Sequence, residues 1–216
     1  MCDFPHQDDA VRPLLADEYV HDTPAVRDLV TGVRAQIRRA RSPEEACELL
    51  RPLVVDLLGD RSWLPNAYQE PAAESGMGSG IGQWLLFRAA ERSLCLFSLV
   101  VPPGATTPVH DHLAWGLVGL YRGRQDEELY RPGPHGLELI RRRSLAPGDL
   151  YALLPPRNDV HRVRTTSEET SVSIHLLAND TGCVVRHVYD ERTGDARPFR
   201  SGYVNADCPD GAAVAS

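Results

Sequence analysis

From residue 80 onward this chain is written in short β-rich runs separated by glycine and proline, and that grammar limits its fold more than any other feature. The runs fall at 84–88, 93–101, 109–113, 116–122, 127–131, 137–143, 149–154, 160–165, 171–177 and 184–189. Pro102-Pro103-Gly104, Pro132-Gly133-Pro134 and Pro147-Gly148 mark turns, where a fixed or positive φ is needed. Many short strands at regular spacing, with no helical period between them, predict a sandwich or barrel. Two amphipathic helices precede them. Thr23-Pro24 sets a capping residue before a proline, and Val26, Leu29, Val30, Val33 and Ile37 then form one apolar stripe. Ser42-Pro43-Glu44-Glu45 opens a second helix as a capping box; Leu49, Leu50, Leu53, Val54, Leu57 and Leu58 follow, and Gly59-Asp60 closes it. These helices are expected to pad the outside of the barrel.

A chain of 216 residues suits one domain: a loose leader at 1–22, the helical pair at 23–60, the barrel at 61–205 and a loose tail at 206–216. The net charge of −7 argues against nucleic-acid or anionic-membrane partners. All the cationic residues are arginine, and their one cluster, Arg141-Arg142-Arg143, reads as a solvated strand or turn. Five cysteines with no CxxC spacing read as free thiols in a reducing compartment. Acidic residues near the N-terminus and the lack of an apolar run near 18 residues predict a cytoplasmic protein. Oligomeric state is not legible.

Within the β-rich region, His110 and His112 stand one residue apart, and His161 follows about fifty positions later. On a strand, period two would turn His110 and His112 to one face, and a returning antiparallel strand could bring His161 beside them. Three imidazoles favour a first-row metal over magnesium or calcium. The bland alternative is a set of structural histidines in a metal-free barrel. His135 reads as an exposed turn residue, His6 and His21 belong to the leader, and His187 would point away from the site.

The segment from Gly104 through His110, His112 and Gly116 to Gly123 resembles the first cupin motif, with Gly116 where most cupins carry a glutamate ligand. The stretch from Gly148 to His161 resembles the second, with Asn158 replacing its glycine. The closer resemblance is to the cysteine dioxygenase family, nearest its bacterial 3-mercaptopropionate branch. It rests on Thr107-Pro-Val-His-Asp-His-Leu-Ala-Trp-Gly116, Asp159-Val-His161, Ser173-Ile-His175 and Phe199-Arg-Ser-Gly-Tyr203. The resemblance implies a mainly β cupin, a small barrel or jelly roll with the helices outside, and an iron(II) ion on His110, His112 and His161, with nickel admissible. It also implies a catalytic pair, Ser173 and His175, and substrate-binding roles for Gln83 and Arg186, the arginine alternatively holding a loop or Gln83. Trp115 and Tyr203 could line the cavity or simply pack. Leu177 stands where the family's relay tyrosine would be, so the phenolic proton donor is missing there.

The implied activity is oxygenation, by O2, of the sulfur of a small carboxylate-bearing thiol, with L-cysteine first and 3-mercaptopropionate second. Two alternatives stay open: a specialised cysteine oxygenase that goes beyond sulfinate to a sulfonamide with decarboxylation, and a non-catalytic metal-binding cupin. An isomerase or lyase on the same scaffold is a further possibility.

Overall fold

In the computed structural model the described residues are 16–208, apart from 79 and 134. Most of the leader (with Cys2 and His6), the end of the tail and the proline of one expected turn lie outside them. Both helices begin where their caps predict. Helix α1 (Pro24–Ile37) starts behind Thr23, whose side chain accepts from the Val26 N–H, and α2 (Pro43–Gly59) starts behind Ser42, which accepts from Glu45. The reciprocal half of the expected capping box is shifted by one residue: the Glu45 carboxylate accepts from the Arg41 N–H.

A six-stranded antiparallel sheet runs in the order β1 (Glu18–Tyr19), β2 (Gly82–Arg88), β3 (Cys95–Val101), β9 (Ser171–Leu177), β4 (Gly116–Arg122), β7 (Leu150–Leu153). Strand alternation splits it into two faces. Leu86, Leu96, Val100, Leu117, Tyr121, Val172, Ile174 and Leu176 pack against the stripes of α1 and α2. Contact is close enough that a Cβ at Gly119 would stand 2.4 Å from a Leu58 methyl. Leu85, Cys95, Phe97, Leu99, Val118, Leu120, Leu153 and Leu177 point the other way, into the barrel. A second sheet faces them, with β5 (Gln125–Gly133) between β6 (Gly136–Leu145) and β8 (His161–Thr165); β10 (Arg186–Tyr189) and β11 (Ala196–Phe199) form a hairpin beside it. The fold is therefore the expected mainly β, cupin-type barrel with its N-terminal helices outside.

Several expectations change. Residues 109–113 form no strand; His110 makes only isolated bridges, to His161 and to Val188. The leader is tied down within the described residues: Glu18 and Tyr19 pair with Arg88 and Phe87, and His21 is buried with its ring bonded to the Trp63 carbonyl at 2.7 Å. The tail is tied too. Cys183 and Cys208 form a disulfide with Cα atoms 5.3 Å apart, which overturns the free-thiol reading for that pair, while Cys47 and Cys95 are buried free thiols. A separation of 25 residues gives no spacing signal; only folding brings these two sulfurs together. No helix among the described residues is long and apolar enough to cross a membrane.

Candidate metal centre

His110, His112 and His161 converge, each offering one ring nitrogen, with these atoms all within 4.8 Å of one another. All three are buried. His110 and His161 exchange both backbone hydrogen bonds at 2.9 Å, so one antiparallel bridge sets their side chains adjacent. Asp111, between the two leading histidines, points the opposite way and anchors the segment on β10: it accepts from the His187 N–H at 2.7 Å, the His187 ring at 2.8 Å and the Tyr189 hydroxyl at 2.9 Å. The alternation expected of a strand thus survives without one, because β8 and β10 grip the segment from both sides. His187 points away from the metal ligands, as its position on β10 predicts, and serves this anchor.

The other nitrogen of each ligand is occupied. His110 Nδ1 meets the Pro108 carbonyl at 2.9 Å, His112 Nδ1 meets Asp159 at 3.1 Å and His161 Nδ1 meets Glu127 at 3.1 Å. Carbonyl and carboxylate oxygens accept, so the proton sits on Nδ1 and the Nε2 lone pairs are left for a shared ion. Asp159 also accepts from the backbone of His112 and Leu113, holding Leu113 in the left-handed region at φ 52° where the chain turns after the ligand pair. Burial pushes the Asp159 carboxyl up, against those donors. Burial also opposes ionisation of Glu127, but the His161 ring and Arg143 outweigh it and hold the carboxyl at about 2. Three imidazole donors, each backed by an acceptor, fit a first-row metal.

Gly116 decides whether a fourth, carboxylate ligand can join. A Cβ there would stand 2.1 Å from the Leu176 carbonyl oxygen and 2.9 Å from the Leu177 Cα. Backbone atoms cannot give way as a side-chain end does, so the position admits no glutamate and the donor set stays neutral.

Opposite the ligands, strand register lines up Leu85, Phe97, His175, Val118 and Tyr151 in one interior row, and Gln83, Leu99, Ser173 and Leu120 in the next. Ser173 and His175 are joined as expected, Oγ to Nε2 at 3.0 Å, with the imidazole stacked on Phe97. Its Nδ1 is buried without a hydrogen-bond partner, as are the Gln83 amide nitrogen and the Tyr151 hydroxyl. Leu177 is fully buried in the same interior.

Two expected site residues are placed differently. Arg186 is not free for a substrate: it donates to the carbonyls of Thr181 (3.2 Å) and Asp111 (2.6 Å) and to Ser201 Oγ (2.8 Å), and lies over the Phe199 ring. Its guanidinium takes the alternative role of holding a loop, the one between the ligands, and burial lowers it to about 10. Trp115 packs on the helix side of the sheet, away from the ligands. Tyr203 packs against the interior core, its hydroxyl donating to Asp180. Sequence reading missed Asp159, Glu127, Arg143 and Tyr151 as parts of the centre; Asp159 stood within a quoted motif, but none carried a spacing that marks an outer partner.

Burial foremost, then the repulsion that a second proton would meet from neighbouring rings and Arg186, holds His110, His112 and His175 well below the ordinary imidazole range. Below about pH 6.5 the unfolded chain takes up protons there that the folded chain refuses, so stability is full above that pH and lost as it falls. Melts of metal-stripped protein followed by circular dichroism are expected to show a midpoint that drops between about pH 7 and 5, less steeply in His175→Phe. A flat profile would contradict neutral buried rings.

No protein-family model matches the chain. Among solved structures it is similar to Peruvianin-I, a cysteine peptidase from Thevetia peruviana latex, at 20% identity over 54% of this chain and 71% of that one, TM-score 0.41. It is similar to an oxalate oxidase in complex with the substrate analogue glycolate, at 14% identity over 54% and 59%, TM-score 0.42. It is also similar to a cupin 2 domain-containing protein from Halorhodospira halophila, at 17% identity over 50% and 58%, TM-score 0.33. In the last two cases the chain spans less than two thirds of the other protein.

Proposed function

We propose that this chain is a metal-dependent oxygenase that adds oxygen from O2 to the sulfur of a small carboxylate-bearing thiol, with L-cysteine as first choice and 3-mercaptopropionate as second. The observation that carries the reading is the neutral three-imidazole donor set, closed to a fourth carboxylate by Gly116. Iron(II) held by His110, His112 and His161, or nickel(II) on the same nitrogen donors, would supply a redox-active Lewis acid that favours the thiolate form of the substrate. For the sulfinate, RSH and O2 combine to RSO2H, both oxygen atoms going to sulfur.

The protein side follows from its residues. Pro108, Asp159 and Glu127 aim the three rings. Ser173 fixes the His175 ring, whose centroid lies 6.3 Å from that of His112 and whose unpartnered Nδ1 holds or moves a proton. With Arg186 engaged elsewhere, the Gln83 amide is an interior donor that suits a substrate carboxylate. Phe97, Leu99, Val118 and Leu177 make the interior around these groups apolar, which would exclude water from a bound substrate.

A second reading, cysteine carried past sulfinate to a sulfonamide with loss of the carboxyl group, is favoured by Leu177 alone. That buried leucine offers no proton where the resembling family has a phenol.

The test is oxygen uptake by iron- or nickel-loaded full chain with a panel of thiols, with products identified by mass spectrometry. Uptake with L-cysteine or 3-mercaptopropionate supports the proposal. Uptake that no thiol stimulates leaves a non-catalytic cupin, and sulfinate as the sole product removes the sulfonamide route. In the same assay His175→Phe is expected to lower kcat by about 100-fold, the loss of a proton-transfer group. Its metal content is expected to be unchanged, since His175 is not among the converging ligands.

A further inference from the structure

We infer that Arg143, one of three consecutive arginines that read as a solvated cluster, is a positioning residue of the metal centre: it holds Glu127, and through Glu127 the ligand His161. The inference rests on the three-histidine metal reading and adds a residue to it. Arg143 on β6 lies directly across from Glu127 on β5. Its Nε stands 2.5 Å from Glu127 Oε2, while Glu127 Oε1 takes the His161 Nδ1 proton at 3.1 Å. The guanidinium is also stacked on Tyr151, 3.8 Å from the ring centroid, and the Tyr151 ring in turn meets His161 edge-on. Arg142 differs: its side chain is 68% exposed and pairs with Glu128, whereas that of Arg143 is 24% exposed.

A buried carboxylate needs both oxygens satisfied. Glu127 is 1% exposed; its second oxygen has no aligned hydrogen-bond donor, and the Arg143 guanidinium compensates it as an ion pair. With the guanidinium pinned between Glu127 and the Tyr151 face, the carboxylate plane is fixed. Its first oxygen then fixes the tautomer and tilt of the His161 ring and strengthens Nε2 as a donor. Without Arg143 the buried carboxylate loses its counter-charge and turns toward water. The ring loses its brace.

The experiment titrates purified full-length protein with Ni(II) by calorimetry and records the visible spectrum of the Co(II) form. The wild type is expected to bind one ion. Arg143→Gln is expected to bind about 10-fold more weakly, the lower end of what loss of an outer partner costs, with shifted Co(II) bands. Arg142→Gln, equal in charge change, is expected to match the wild type. If Arg143→Gln does not fold, Arg143→Lys keeps the charge without the planar fork and is expected to bind more weakly than wild type. Wild-type affinity and an unchanged Co(II) spectrum in the folded Arg143 variant would overturn the inference while the metal site stands. A wild type that binds no ion would bring down the metal reading itself.

Discussion

Alanine at position 161 is expected to lower metal affinity by more than about 100-fold, beyond the 10- to 100-fold cost of losing an outer partner, and to abolish thiol-dependent oxygen uptake. Two imidazoles on one short segment make an incomplete grip; His161 supplies the third donor from the opposite strand. The fold should survive, because His161 joins His110 through main-chain hydrogen bonds that alanine retains. Glu127 keeps Arg143 as a counter-ion. Elemental analysis of protein purified without added metal, alongside the oxygen electrode, checks both halves. Stoichiometric metal and full uptake in His161→Ala would place the chemistry elsewhere in the barrel.

The second large effect concerns Gly116. Gly116→Ala is expected to destabilise the fold by about 3 kcal/mol, the upper part of the range for overpacking, because the new methyl meets main-chain atoms of β9 rather than a movable side chain. Gly116→Glu should not create a four-ligand site, although that position carries the acid in the motif this segment resembles. Its Cβ strikes the Leu176 carbonyl before the carboxylate can reach the ion. Urea denaturation gives the stability change, and the Co(II) spectrum of any folded fraction reveals whether an oxygen ligand has joined. A Gly116→Glu protein with the wild-type urea midpoint would show that the neutral donor set is not enforced by packing.

The caps and stripes of the helices, the boundaries of Ser171–Leu177 and the Ser173–His175 pair were legible because each depends on residues a few positions apart. Arg186 shows where that legibility stops. A lone arginine near a polar site reads as a carboxylate anchor, and nothing local says that Thr181, Asp111 and Ser201 will surround it. Trp115 shows the same limit. It sits three residues beyond His112, but the turn at Leu113 reverses its outlook toward the helices. The disulfide joins cysteines whose spacing announces nothing.

By itself the sequence determined both helices, the strands other than the short ones at Glu18–Tyr19 and Ala196–Phe199, and the three imidazoles, since periodicity, capping and turn chemistry act through near neighbours along the chain. It did not determine that 109–113 would form no strand. Tertiary structure alone decided which acceptor backs each imidazole, that Gly116 leaves no room for a fourth ligand, and that Arg143 reaches inward while Arg142 does not. Those outcomes depend on the register of strands distant in sequence, and a shift of one residue would turn every one of these side chains to the other face.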